Sequence, residues 1–81
     1  MNRGDSMILN ELKQRFENNN EVKFKLFSLE YIIQKVNNNV EVYPLLYPNR
    51  KNTYSSLDEA LNYFTVYNES IIENIDRVIL L

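Results

Sequence analysis

Eleven carboxylates and nine cationic side chains are spread over this 81-residue chain, with no histidine or cysteine among them. Histidine is the commonest general base and metal ligand, and the usual partner of a serine nucleophile. Cysteine would be needed for a thiolate nucleophile or a thiolate metal site. Ser55, Ser56 and Ser70 have no histidine partner, so carboxylate pairs are the catalytic groups left to consider. Asp58 and Glu59 are adjacent, would point in different directions from a helix, and suit the partial positive charge at its N-terminus. Glu73 and Asp76 are three apart and would share a helical face, but two carboxylates with no further ligand make a poor metal site. The expectation is a protein that is not an enzyme and binds no metal or cofactor.

Three other constellations point to binding. Arg3-Gly4-Asp5-Ser6 matches the integrin-recognition tetrapeptide, a match short enough to arise by chance, and is read as coincidence. In the middle of the chain, Lys23, Lys25 and Lys35 fall on expected strands with Tyr31 and Tyr43, and Arg50-Lys51 fall in a nearby loop. Such a sheet face could stack bases and contact the phosphates of a single-stranded nucleic acid. Strand lysines also protect sheet edges and tyrosines also rim small cores, and the net charge of −2 disfavours nucleic acid as the partner.

The third constellation is a charge split. Residues 1–54 carry eight basic and six acidic side chains, a net +2, whereas residues 55–81 carry one basic and five acidic, a net −4. Glu69, Glu73 and Asp76 would form an acidic helical face for a basic partner. The same face could imitate the phosphate array of DNA, as phage-type inhibitors of bacterial defence enzymes do. Val78-Ile79-Leu80-Leu81 cannot all point inward from one helix end, so Leu80 and Leu81 are candidates for an exposed apolar patch that meets a protein partner or a second copy of the chain.

These side chains need elements to position them. Ile8, Leu9, Leu12 and Phe16 recur on one helical face and predict a helix over about 7–17, capped by Asp5 or Ser6 and ended by Asn18 to Asn20. Residues 1–6 are expected to be a flexible leader, and 7–81 a single domain. From Val22 the period becomes two: Val22, Phe24 and Leu26 alternate with Lys23, Lys25 and Phe27, and Ser28-Leu29 turn the chain. Strands over 30–36 and 40–45 would form a hairpin through Asn37-Asn38-Asn39, because asparagine tolerates left-handed backbone. Pro44 cannot donate to a ladder and marks an edge or a bulge, and Asn52-Thr53-Tyr54 would return as a short strand.

Ser56-Leu57-Asp58-Glu59 and Ser70-Ile71-Ile72-Glu73 are both capping boxes, in which serine and glutamate satisfy the free amides at a helix start. They predict helices over 57–64 and 71–80, with Thr65-Val66-Tyr67 extended between them. The fold class is therefore α+β: an N-terminal helix, a three- to four-stranded antiparallel sheet, and two short C-terminal helices on one sheet face.

With 44% hydrophobic and 25% charged residues, the chain resembles ordinary globular proteins and is long enough for one core. Its longest apolar run is far shorter than the roughly 20 residues that span a bilayer, and no apolar segment follows a basic start, so no membrane partner and a cytoplasmic location are expected. Frequent asparagine, with isoleucine, lysine and tyrosine, fits the residue usage of low-GC bacteria and their phages. The functional expectation is a small non-catalytic protein-binding module.

Overall fold

The computed structural model describes residues 4–81, with side chains from Met7 onward. The first helix, α1, spans Gly4–Asn19. It therefore begins before the expected start, and Asp5 and Ser6 lie in its first turn. The part of the expected leader before Gly4, including Arg3 of the integrin-like tetrapeptide, lies outside the described residues. Asn20 ends the helix in left-handed backbone at φ 61°, where its amide donates to the Phe16 carbonyl at 2.7 Å.

Four strands follow: β1 (Glu21–Leu26), β2 (Leu29–Val36), β3 (Asn39–Pro44) and β4 (Asn52–Tyr54). After them come α2 (Leu57–Tyr63), the two-residue strands β5 (Thr65–Val66) and β6 (Glu69–Ser70), a run of turns ending in a 3-10 helix at Ile75–Arg77, and β7 (Ile79–Leu80). The main sheet is antiparallel, ordered β4-β3-β2-β1-β7, and β5 and β6 form a separate hairpin. The α+β class is as expected; five strands replace three or four, and one C-terminal helix replaces two.

The second helix is missing for a local reason and a long-range one. Ser70 and Glu73 do form their reciprocal box, with the Glu73 amide donating to Ser70 Oγ at 3.0 Å and the Ser70 amide to Glu73 Oε1 at 2.8 Å. The fully buried Asn74 then turns its side-chain amide onto the Ser70 carbonyl at 3.2 Å, and asparagine that bonds nearby backbone in this way competes with helix propagation. Downstream, Ile79 and Leu80 pair with Lys25 and Phe24. The β-branched residues of this segment favour that ladder, which covers the open edge of β1.

The core lies on one face of the sheet. Val22, Phe24 and Leu26 of β1, Tyr31 and Ile33 of β2, and Val40 and Val42 of β3 are buried against Leu12 and Phe16 of α1, Ala60 and Leu61 of α2, and Phe64, Ile71, Ile75 and Val78. Pro44 costs no ladder hydrogen bond. Leu45 donates to the Glu30 carbonyl, so the preceding residue's nitrogen faces the β4 side, where β4 has already ended.

Candidate functional site

The outer sheet face does not form the basic platform expected for a nucleic acid. The register aligns Lys23 with Ile32 and Tyr43, and Lys25 with Glu30 and Ile79. Ile32 is only 4% exposed although it lies outside the core, because Lys23 and Tyr43 flank it and long amphipathic side chains readily cover such a residue. Glu21, Glu30 and Glu41 share this face with the two lysines, and Glu41 pairs with Lys51 at 3.7 Å. Lys35 stands opposite Val40 on the core side, exposed near the end of β2. Tyr31 is corrected most clearly: it is 4% exposed, stacked on Phe24 at 5.3 Å and edge-on to Phe64 at 5.9 Å, because its register with Phe24 and Pro44 turns it toward the core.

The acidic face fails as a helical surface because no helix forms over the expected 71–80. Glu73 is used in its capping box, while Glu69 and Asp76 are exposed on β6 and on the 3-10 turn. Asp58 lies 3.7 Å from Lys13. Glu59 accepts from the Ser55 amide at 3.0 Å, and this hydrogen bond, with a second from the Ser55 side chain, holds its carboxyl below the usual value. Among the described residues, no group of three or more Asp or Glu could hold a metal, and no helix is long and apolar enough to cross a membrane.

The terminal apolar run divides between two faces. Leu80 packs partly buried against the core beside Phe24, whereas Ile79 and Leu81 are exposed. Arg15, already paired with Glu11 at 3.0 Å, donates to the Leu81 carbonyl at 2.7 Å, and the Leu81 amide donates to the Lys23 carbonyl. A charge placed at Leu80 would therefore disturb the core as well as any surface.

A different surface emerges where the β1–β2 turn, the end of β3 and the tip of the β5–β6 hairpin meet. The register pairs Leu26 with Leu29, so the turn is Phe27-Ser28 and not Ser28-Leu29. Phe27 takes φ 58°, and Tyr67 and Asn68 take φ 55° and 68°. Left-handed backbone costs an L-residue about 1–2 kcal/mol, and asparagine is the usual non-glycine exception. Bulky aromatics at two such positions are unusual. Their rings meet edge-to-face at 5.2 Å while both remain exposed, Tyr67 at 79%. Leu46, 74% exposed, and Tyr47 follow β3 after Leu45.

Beside this pair lies a cleft of about 400 Å³, lined by Leu29, Tyr31, Pro44, Phe64, Val66 and Tyr67, with Arg50, Asn52 and Thr65 as its polar groups. Burial, with an electrostatic contribution from Tyr67, raises the Tyr31 phenol above its usual value. Arg50 sits with its guanidinium carbon 4.7 Å from the Tyr47 ring centroid, within cation–π range. Of the cationic residues singled out in the sequence, only Arg50 joins this site. Phe27, Leu46, Tyr47 and Tyr67 were missed. Val66-Tyr67-Asn68 carries a weak turn signal in Asn68, but Leu26-Phe27-Ser28-Leu29 contains no residue that marks a left-handed turn.

The fold and site define a small α+β domain with helices on one face of an antiparallel sheet and an aromatic cleft at one sheet end. Comparison of the chain with protein-family models, curated proteins and solved structures finds no match.

Proposed function

We propose that this chain is a non-catalytic protein-binding domain that engages its partner through the aromatic end of the sheet. The observation that carries this reading is that Phe27 and Tyr67 occupy costly left-handed positions and still leave large parts of their rings in water. Strained residues cluster at functional sites, and aromatic rings supply much of the binding energy in protein interfaces. The absence of histidine and cysteine supports a non-catalytic role, as do the intramolecular contacts of Asp58, Glu59 and Glu73.

Random heptapeptides displayed on phage and selected on the purified domain provide the test. The double variant Phe27→Asn/Tyr67→Asn is expected to weaken the selected peptides at least tenfold while keeping its thermal midpoint close to the parent, because asparagine suits both backbone positions. Equal binding by parent and variant would end the proposal. Self-association is the second reading, favoured by exposed Ile79 and Leu81 at β7, the edge strand of the main sheet. It predicts a concentration-dependent dimer in sedimentation that Ile79→Lys dissociates.

A further inference from the structure

Three clefts among the described residues differ in how their charges are used. In the one bordered by Arg15, Glu21, Lys23 and Leu81, Arg15 is already engaged by Glu11 and by the Leu81 carbonyl. In the one bordered by Lys25, Glu30, Leu45 and Leu46, the lysine and glutamate stand opposite one another in the ladder and offset each other's charge. The aromatic cleft is lined by one charged residue, Arg50, and by no carboxylate.

The polar groups of that cleft are biased toward donation. Among the described residues, Arg50 has no carboxylate within pairing distance, and its guanidinium donates no hydrogen bond to another side chain or to the backbone. Tyr31 lines the same cleft, and its hydroxyl has no hydrogen-bond partner among the described residues although the residue is 96% buried. A buried phenol normally finds a partner, and a guanidinium fork matches a carboxylate in bidentate geometry. Asn52 and Thr65 add neutral polar groups that can also donate, so an arginine fork and a phenol O–H beside the apolar Leu29, Phe64 and Val66 are complementary to one anionic, planar acceptor flanked by apolar groups.

Resting on the protein-binding reading above, we infer that the cleft recognises an extended segment of a partner protein that places one Asp or Glu carboxylate on Arg50 and Tyr31, with a neighbouring apolar side chain against Phe64, Val66 and Tyr67. One turn of α-helix, about 10–12 Å across, would by itself fill a space of this size, whereas one or two side chains of an extended chain fit within it. A nucleic acid would bring a succession of phosphates to a site lined by a single cation, with Glu69 opposite the cleft residue Val66 across the β5–β6 hairpin.

The same heptapeptide selection decides the matter when it is run on the parent, Arg50→Gln and Tyr31→Phe. The parent should enrich Asp or Glu beside an aliphatic, aromatic or proline residue. Changing that acid to its amide in a synthetic peptide should weaken binding about ten- to a hundredfold, the range for a hydrogen bond to a charged group. Arg50→Gln should abolish the preference for the acid over the amide, and Tyr31→Phe, which removes only the hydroxyl, should reduce it several-fold. An apolar consensus without the acid, still sensitive to Phe27→Asn/Tyr67→Asn, would overturn the carboxylate inference and leave the cleft as a binding site. No enrichment at all would overturn both. Arg50-dependent binding of oligo(dT) in place of any peptide would overturn the protein partner in favour of a nucleic acid.

Discussion

The β2–β3 turn and the two turns at the opposite end of the sheet meet the same backbone demand with different residues. At the first, Asn37 takes φ 58°, and its side chain suits that conformation. At the others, Phe27 and Tyr67 take nearly the same φ with bulky rings that gain nothing from it locally. Tyr67 lines the cleft, Phe27 meets Tyr67 edge-to-face, and both rings are exposed, whereas the asparagine turn is polar and exposed throughout. Where the chain reverses through asparagine it uses a residue that fits; at the two aromatic turns it tolerates strain and leaves the rings exposed.

That contrast can be broken at three levels. The largest effect is expected beneath the aromatic end, where Phe24 is fully buried and stacks on Tyr31. Phe24→Ala should cost about 3–5 kcal/mol. Because a domain this small has a net stability of only about 3–5 kcal/mol, the variant should lose its amide chemical-shift dispersion; a folded variant would show that the Phe24–Tyr31 stack is not needed to hold the core together.

A smaller and more pointed effect comes from exchanging residue types between the turns. Asn37→Phe should destabilise by about 1–2 kcal/mol in urea titration, the cost of an unsupported left-handed aromatic. Phe27→Asn should stay within about 1 kcal/mol of the parent, since relief of that cost offsets an aromatic contact worth about 0.5–1.5 kcal/mol. Equal losses from the two exchanges would show that the turns do not differ in strain.

The smallest effect lies away from both ends, at Glu59. Its folded carboxyl is held below the ordinary value, chiefly by the Ser55 amide. Its contribution to stability is therefore present above the unfolded pKa, near 4.5, and is lost as pH falls through the lower folded value. Glu59→Gln should flatten the acid limb of the stability profile below about pH 4.5 and leave binding at neutral pH unchanged. A steep acid limb that persisted in this variant would assign the acid sensitivity to another carboxylate.

Much of the fold was legible because the signals were local. The alternation of Val22, Phe24 and Leu26, the spacing of Leu12 and Phe16, and the Ala60, Leu61 and Phe64 face all end in the core as expected. The two capping boxes show the limit of such signals. The first leads into α2, with the Glu59 amide on Ser56 Oγ at 3.1 Å. The second closes more completely, since Glu73 takes the amide of its own capping Ser70 whereas Glu59 takes that of Ser55, yet it leads into turns, because a box satisfies the first free amides without supplying the turns that must follow. The proposed binding surface was less legible than the core. Tyr31 and Tyr43 are both tyrosines on one strand pair, yet the first is in the core and the second on the outer face, a difference set by register.

By itself, the sequence determined the α+β class, the first helix, the first three strands of the central sheet, the first capped helix and the lack of histidine- or cysteine-based chemistry, because residue type and short-range period are sufficient for each. Only the tertiary structure decided that Ile79 and Leu80 complete the sheet against β1, that Tyr31 turns inward, and that Phe27 and Tyr67 meet across two hairpins. Pairing Phe24 with Leu80 joins residues far apart in the chain, and Phe27 and Tyr67 are similarly distant. No local period encodes such contacts, which exist only once the shared core fixes where each strand begins and ends.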